Sequence, residues 1–127
     1  VKVLGITYKI TAIAANTFKN NKKITSVTVG SNVTSIGKSA FEKCKKLKSI
    51  TLSKNVEDIG KNAFKNCKNL NTITIKSTKL DVDGVKKGAF SGIGKKVVVK
   101  VPKSKYSAYK KLLREKGLNK KVKIKKI

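Results

Sequence analysis

A seventeen-residue phrase that occurs twice constrains the fold of this chain more than any other feature. The segment IGKSAFEKCKKLKSITL at residues 36–52 returns as IGKNAFKNCKNLNTITI at residues 59–75, 23 residues further on. Four phenylalanines mark the same period, with intervals of 23, 23 and 26 residues: Phe18, Phe41, Phe64 and Phe90. A fixed period of about 20–50 residues is the signature of stacked structural repeats.

The apolar positions of one repeat predict its local structure. In the third repeat, residues 47–52 contain a segment in which apolar residues alternate with Ser and Thr, which predicts a strand. Residues 56–59 predict a second short extended piece. Residues 63–67 space apolar groups at i, i+1 and i+4, which predicts one helical turn. Three residues are predicted N-caps of these turns: Asn16, Ser39 and Asn62.

One such repeat cannot bury its apolar side alone, whereas stacked repeats can. The sequence therefore predicts an α+β solenoid, a right-handed β-α superhelix of about four and a half repeats, with a parallel sheet on one face and helical turns on the other. The predicted repeats are 1–23, 24–46, 47–69, 70–95 and a partial 96–101. The first would use Val1, Leu4, Ile6 and Ile10. The fourth would carry its three extra residues at 77–79, with Val82 in the core and Lys86 at the glycine position.

Residues 102–127 are predicted to cap the last repeat. Residues 96–101 would form the fifth strand, with Val97 replacing Lys96 in the core, and Pro102 would end it because proline lacks an N–H. Ser104 is the predicted N-cap of a helix over 105–116 with Tyr106, Tyr109, Leu112 and Leu113 on one side, and Gly117 would stop it. Beyond it, Val122, Ile124 and Ile127 would share one side. A basic amphipathic helix that touches a membrane or a partner is the alternative.

At this point the pattern resembles a known family. Repeats of the form L-x-x-I-x-L-x-x-x-V-x-x-I-G-x-x-A-F-x-x-C-x-x, which residues 1–101 follow, are similar to the BspA-like leucine-rich repeat of bacterial surface proteins. The first repeat departs from the pattern at Ala14 and Thr17. The resemblance implies a secreted or wall-attached bacterial protein that binds surface molecules.

The charge of the chain points to anionic partners. It has 32 basic residues against 6 acidic ones, a formal net charge of +26, and Arg114 is the only arginine. Lysine is a hydrated point charge and, unlike arginine, makes no bidentate fork, so this surface would attract polyanions diffusely. Acidic wall polymers, anionic glycans, nucleic acid and anionic lipid all fit. A solubilising coat without a specific ligand is the alternative.

Two sets of residues are the candidate binding surfaces. The first, the hydroxyl strip, would point outward from the sheet and comprises Ser26, Thr28, Ser49, Thr51, Thr72 and Thr74, with Gly5 and Thr7 equivalent in the first repeat. It is either a docking strip or a ladder of hydroxyls bonded to one another. The second set is two lysine columns, Lys22, Lys45 and Lys68 in the first and Lys38, Lys61 and Lys87 in the second. An anionic chain laid across the repeats would release counterions along them.

Catalytic and metal chemistry find little support in the sequence. The chain has no histidine. Glu57 and Asp58 are adjacent and would point to different sides. The segment 81–84, DVDG, resembles the start of a calcium loop, but its twelfth position is Gly92, so a turn is predicted instead. Cys44 and Cys67 occupy one slot in neighbouring repeats, where packed free thiols or a disulfide are both geometrically conceivable. No cofactor or metal is expected.

The sequence therefore predicts a non-enzymatic, adhesion-type interaction module that is secreted or attached to a bacterial cell wall. Its partners would be a protein, a glycan or an acidic wall polymer. A basic domain that binds nucleic acid or another polyanion is the alternative. No apolar run is long enough to span a membrane. Val1 is not a start residue, so we expect more chain upstream and either a monomer or part of a longer array.

Overall fold

The computed structural model describes residues 2–3, 6–7 and 11–127, and the side chains of residues 11–127. Its strands are β1 (Lys2–Val3), β2 (Ile6–Thr7), β3 (Ala12–Ile13), β4 (Ser26–Val29), β5 (Ser35–Ile36), β6 (Ser49–Leu52), β7 (Asp58–Ile59), β8 (Thr72–Ile75), β9 (Val98–Val101) and β10 (Lys123–Lys126). A 3₁₀ turn (Lys103–Lys105) leads into helix α1 (Tyr106–Glu115).

Strands of successive repeats stack in parallel, as predicted. A five-stranded sheet has the order β10-β9-β8-β6-β4, and a three-stranded sheet has the order β3-β5-β7. The register between repeats is the period itself, since Ile50 pairs with Val27 and with Ile73. The two sheets are the predicted long and short extended pieces of each repeat.

The core lies between these sheets and the turns that close each repeat. The four phenylalanine rings form one continuous stack, with centroid distances of 5.3, 5.4 and 5.6 Å. Phe41, Phe64 and Phe90 are buried, and Phe18 is half-buried against the core. Val97 is also buried and Lys96 is exposed, as the predicted shift of the fifth strand requires.

The predicted helical turns are wrong. Residues 61–66 form consecutive turns, in which Asn62 and Asn66 have φ values of 60° and 61°. A positive φ every fourth residue interrupts a helix. Successive N–H groups therefore alternate between a carbonyl of the same repeat and a carbonyl of the next repeat. The Ala63 N–H donates to the Gly60 carbonyl, whereas the Phe64 N–H donates to the Ala89 carbonyl at 2.8 Å.

The predicted N-caps therefore have a different role. Asn16, Ser39 and Asn62 are left-handed residues with φ between 56° and 63°, and Gly88 continues their column in the fourth repeat. A second left-handed column comprises Asn20, Lys43, Asn66 and Gly92. Asn and Gly tolerate this conformation better than other residues.

The insertion in the fourth repeat lies elsewhere than predicted. Val82 is 54% exposed, and Leu80 is buried in the core instead. Val85 returns to register through a bridge with Ile59. Gly84 makes the close approach to the third repeat, since a Cβ atom there would meet the Glu57 carbonyl oxygen. The sequence instead predicted the glycine position of this repeat at residue 86, which is Lys86.

The first repeat differs from its prediction where it is described. Positions Val1, Leu4, Gly5 and Ile10 lie outside the described residues. Strand β2 pairs antiparallel with β1, whereas the prediction stacked this segment on the parallel sheet. Among the described strands, β4 is therefore one end of the five-stranded sheet and β10 is the other.

The C-terminal segment covers the last repeat with α1 and adds β10 in parallel to β9. Tyr109, Leu112 and Leu113 are buried beneath the helix, and Gly117 follows it with φ of 112°. Two details are corrected. The helix N-cap is Lys105 and not Ser104, because the 3₁₀ turn occupies the predicted first turn. Ile127 is 60% exposed, since the period of two that buries Val122 and Ile124 excludes position 127.

Candidate interaction surface

The outward face of the five-stranded sheet, called here the outer face, is a regular surface that the strands of successive repeats build. Alternation within each strand buries the second and fourth residues of β6 and β8 and leaves the first and third partly exposed. All six residues of the predicted hydroxyl strip, Ser26, Thr28, Ser49, Thr51, Thr72 and Thr74, consequently point outward. Their register forms two columns, with Ser26, Ser49 and Thr72 in one and Thr28, Thr51 and Thr74 in the other.

The hydroxyl strip is not bonded to itself. Within the described residues, none of its six hydroxyl groups makes a hydrogen bond to the protein, in contrast to Ser53 and Ser77, whose hydroxyls donate to carbonyls of the preceding repeat. Neighbouring strands lie about 4.8 Å apart, so side chains with the same rotamer stand too far apart to bond. The described residues therefore show no self-bonded ladder of these hydroxyls.

Both hydroxyl columns continue into a charged part of the outer face that the sequence analysis missed. Lys100 of β9 is the register partner of Thr74 and of Lys125, and Val98 is the partner of Thr72 and of Lys123. We call Lys100, Lys123 and Lys125 the lysine triplet. All three are exposed. The alternation of residues 98–101 and 122–126 is the sequence signal for these outward positions, and pairing of β9 and β10 with the sheet is what aligns them with the repeats.

The two predicted lysine columns lie at the corners between the sheets and the turns. Lys22, Lys45 and Lys68 precede the strands of the outer face, and Lys38, Lys61 and Lys87 follow the short strands. All six are exposed. The two columns and the hydroxyl strip therefore occupy different positions of each repeat.

The basic charge is almost unpaired. In the described part of the chain, a single ion pair is formed, between Lys79 Nζ and Glu57 Oε1 at 3.8 Å, and both side chains are about half exposed. An exposed pair of this kind contributes little to stability. Glu42 is buried and accepts a 2.7 Å hydrogen bond from Ser39. The field of the lysines is therefore directed mostly to solvent, where an anionic ligand would meet it.

The acidic residues near the insertion build turns. Asp81 Oδ1 accepts the backbone N–H groups of Asp83 and Gly84, at 3.1 and 2.7 Å. This is an Asx-type turn, as predicted for the segment 81–84. Glu57 precedes β7 and forms the ion pair with Lys79, and Asp58 belongs to β7.

Tyr109 fastens helix α1 to the insertion. Its hydroxyl donates to the Ser77 carbonyl at 2.8 Å and accepts the Leu80 N–H at 3.1 Å. Burial raises the pKa of Tyr109 above its ordinary value of 10, because desolvation disfavours the phenolate. The residue has a structural role and lies in the core, away from the outer face.

Cys44 and Cys67 are free and fully buried. Their thiols donate to the carbonyl oxygens of Phe18 and Phe41, each in the preceding repeat, with sulfur–oxygen distances of 3.1 and 3.0 Å. Interaction with the Cys44 thiol and, after it, burial raise the pKa of Cys67. These thiols satisfy carbonyls of the turn region and do not present a nucleophile to solvent.

Stacked parallel strands at a 23-residue register, a continuous phenylalanine stack and an outward face of small polar residues define a leucine-rich repeat protein. The chain belongs to the BspA-type leucine-rich repeat family, whose model matches residues 2–123 in six copies. Family members of this kind are typically interaction modules and not enzymes.

The chain is similar to a solved structure of a leucine-rich repeat protein from Bacteroides ovatus. The TM-score is 0.72 and the sequence identity is 31%, over 91% of this chain and 28% of that one. The chain therefore spans under a third of the length of this relative. A comparison with curated proteins gave no match. In the described residues, no helix is both long and apolar enough to cross a membrane.

Proposed function

We propose that the chain is a non-enzymatic interaction module displayed at a bacterial cell surface, where it binds macromolecules through the outer face. The observation that carries this proposal is the row of unbonded hydroxyls in register across three strands. A flat array of short side chains loses little rotamer entropy when a ligand docks. Each hydroxyl can donate and accept, so the face suits partners that carry many polar groups.

Family membership supports the interaction role, and the bacterial relative supports the cellular setting. The outer face lacks the exposed Trp, Tyr and Arg side chains that usually dominate tight protein interfaces. We therefore expect modest affinity at one chain and stronger attachment when several copies engage one extended ligand.

The test is binding of the purified chain to bacterial wall polymer, a heparin-like glycan and duplex DNA over a salt series. Replacement of Thr51 and Thr74 by Val keeps the side-chain shape and removes two hydroxyls from the middle of the face. Thr25 and Thr78, which are exposed outside the hydroxyl strip, provide the matched control pair for the same replacement.

We expect one ligand to stay bound at salt that releases the others, and we expect the Thr51 and Thr74 variant to weaken that binding more than the control variant does. Equal effects of the two variants would contradict the role of the outer face. The role of the outer face would also be contradicted if the chain retained all three ligands and neither variant changed their binding.

A second candidate function is attachment to polyanions through the lysine columns. It is favoured by the single ion pair in the described residues of a chain with net charge +26. In this case binding to all three ligands would collapse together as salt rises, because counterion release drives it. Reversal of the first column to Glu would then weaken binding more than reversal of any one of its lysines.

A further inference from the structure

The outer face is uniform in shape but not in charge. Three of its strands, β4, β6 and β8, present Ser and Thr, and the other two, β9 and β10, present Val98 and the lysine triplet. The change occurs between β8 and β9, where Thr72 and Thr74 adjoin Val98 and Lys100 in register.

We infer that this end of the outer face is a subsite for a linear acidic polysaccharide, with the lysine triplet binding its anionic groups and the neighbouring threonines binding its hydroxyls. This assignment rests on the proposed binding role of the outer face and adds to it the class of ligand and the place where its charges lie.

The spacing of the triplet suits a chain of regularly placed charges. Lys100 and Lys125 are direct neighbours on parallel strands, about 4.8 Å apart, and Lys123 lies two residues from Lys125, about 6.6 Å along β10. These spacings are those of the backbone positions from which the three exposed lysine side chains extend. Like charges that share one patch repel one another, and a bound anion relieves that repulsion. No carboxylate neutralises them internally, since the outward positions of all five strands are Ser, Thr, Val or Lys.

Hydroxyls and an apolar spot lie beside these charges. Thr74 is next to Lys100 across the strand boundary, and its hydroxyl makes no hydrogen bond within the described residues. Val98 is half-exposed between Thr72 and Lys123 and offers a patch against which the C–H face of a sugar ring can pack. An acidic sugar polymer carries the complementary groups, namely anionic charges, hydroxyls and the C–H faces of its rings.

The same patch fits nucleic acid less well. Single-stranded nucleic acid is bound on aromatic platforms, and the outer face contains none. Tyr106 of the C-terminal segment is partly buried against the core, and its ring is already contacted by Lys126 Nζ at 5.0 Å and Lys110 Nζ at 5.9 Å. Bidentate recognition of bases by arginine is also excluded on this face, because Arg114 lies on α1 and binds the carbonyls of Lys120 and Val122.

A pair of triple variants with equal charge tests the assignment. The first replaces the triplet, K100T, K123T and K125T, with the residue that β8 carries at the same outward positions. The second replaces the first lysine column, K22T, K45T and K68T. Each lowers the formal net charge from +26 to +23, so any diffuse effect of charge is the same in both.

The measurement is the affinity of each variant for a short oligogalacturonate over a salt series, with a duplex DNA of equal charge as the comparison. We expect the triplet variant to lose on the order of tenfold in affinity and about 2–3 units of salt slope, since each charge contact contributes about 0.7–0.9. The column variant should lose less than about threefold, because its lysines interact only through the screened field.

Equal losses of affinity in the two triple variants would overturn the subsite. They would not overturn the proposed binding by the hydroxyl strip, which the Thr51 and Thr74 variant tests separately. Failure of the wild-type chain to bind the oligogalacturonate would overturn the ligand class. Tighter binding of DNA than of the oligosaccharide, lost in the triplet variant, would assign the patch to nucleic acid and overturn the carbohydrate assignment.

Lysine acetylation of the wild-type chain gives a second measurement that needs no variant to fold. We expect bound oligogalacturonate to protect Lys100, Lys123 and Lys125 from acetylation and to leave the first column reactive. Protection of the column with a reactive triplet would overturn the subsite.

Discussion

The close stacking of the repeats depends on glycines without space for a side chain, and Gly60→Ala is the sharpest test of this packing. A Cβ atom at Gly60 would lie 2.6 Å from the Gly37 carbonyl carbon and 2.8 Å from the Lys38 Cα atom. Both contacts are with backbone, so no side chain can rotate away. The third repeat would have to move from the second by the order of half an ångström or more, which disturbs the hydrogen bonds between them.

The cost can be bounded. Overpacking of a well-packed site costs about 1–3 kcal/mol. Gly→Ala also stabilises by about 0.4–1 kcal/mol through the unfolded chain. Gly30 is the control, because a Cβ atom there meets no described atom within 4 Å and its φ is not positive. We expect G60A to lower the free energy of unfolding by about 1–2 kcal/mol and G30A to leave it unchanged or raise it by up to about 1 kcal/mol.

The assay is urea unfolding followed by circular dichroism, with both variants and the wild type measured together. A chain of this size shifts its melting temperature by about 3–6 °C per kcal/mol, so thermal unfolding would show the same order. The explanation by repeat stacking would be refuted if G60A were as stable as G30A.

Three further predictions concern the turns, the helix and the thiols. Tyr109→Phe removes two buried hydrogen bonds and should lower the free energy of unfolding by about 1–3 kcal/mol. Burial raises the pKa of Tyr109, so above pH 10 the unfolded wild type ionises before the folded one and the wild type loses stability. The difference in unfolding free energy between wild type and Y109F should therefore narrow above pH 10, and a constant difference would contradict the burial. Lys43→Asn should stabilise by up to about 1 kcal/mol in urea unfolding, since Lys43 has φ of 60° and Asn tolerates it, whereas Lys45→Asn at ordinary φ should not. A thiol reagent at pH 8 should leave Cys44 and Cys67 unmodified in the native chain and modify both in urea; rapid native labelling would show that they are not buried.

The register of the repeats could be predicted because their side chains repeat. The phenylalanine intervals set which residues stack, and the alternation at residues 49–52 set which of them point outward. Both depend on burial that each repeat shares with its neighbours, so the same pattern appears in sequence several times and is easily recognised.

The turn conformation could not be predicted from the same pattern. The spacing of Ala63, Phe64 and Cys67 fits a helical turn as well as the observed turns, and only backbone dihedral angles separate the two. The recurrence of Asn at positions 16, 20, 62 and 66 was the available signal, since Asn is enriched at positive φ. Asn also favours N-cap positions, so the residue type of Asn16 and Asn62 does not by itself separate the two situations.

The placement of the insertion and the lysine triplet could not be predicted, for one shared reason. Both depend on contacts that only the last two parallel strands and the helix create. Leu80 is buried, with its N–H bonded to Tyr109 of α1, and Lys125 joins the outer face because β10 pairs with β9. A pattern of repeats cannot indicate contacts made by residues that depart from the repeat.

The binding role of the outer face is tested most directly by an amide chemical-shift map of the isotopically labelled chain, titrated with the short oligogalacturonate in about 150 mM salt, where the screening length is about 8 Å. We predict saturable shifts confined to β8, β9 and β10, with the largest at Thr74, Lys100 and Lys125. Shifts confined to the two lysine columns, or spread over the whole surface without saturation, would contradict the binding role of the outer face.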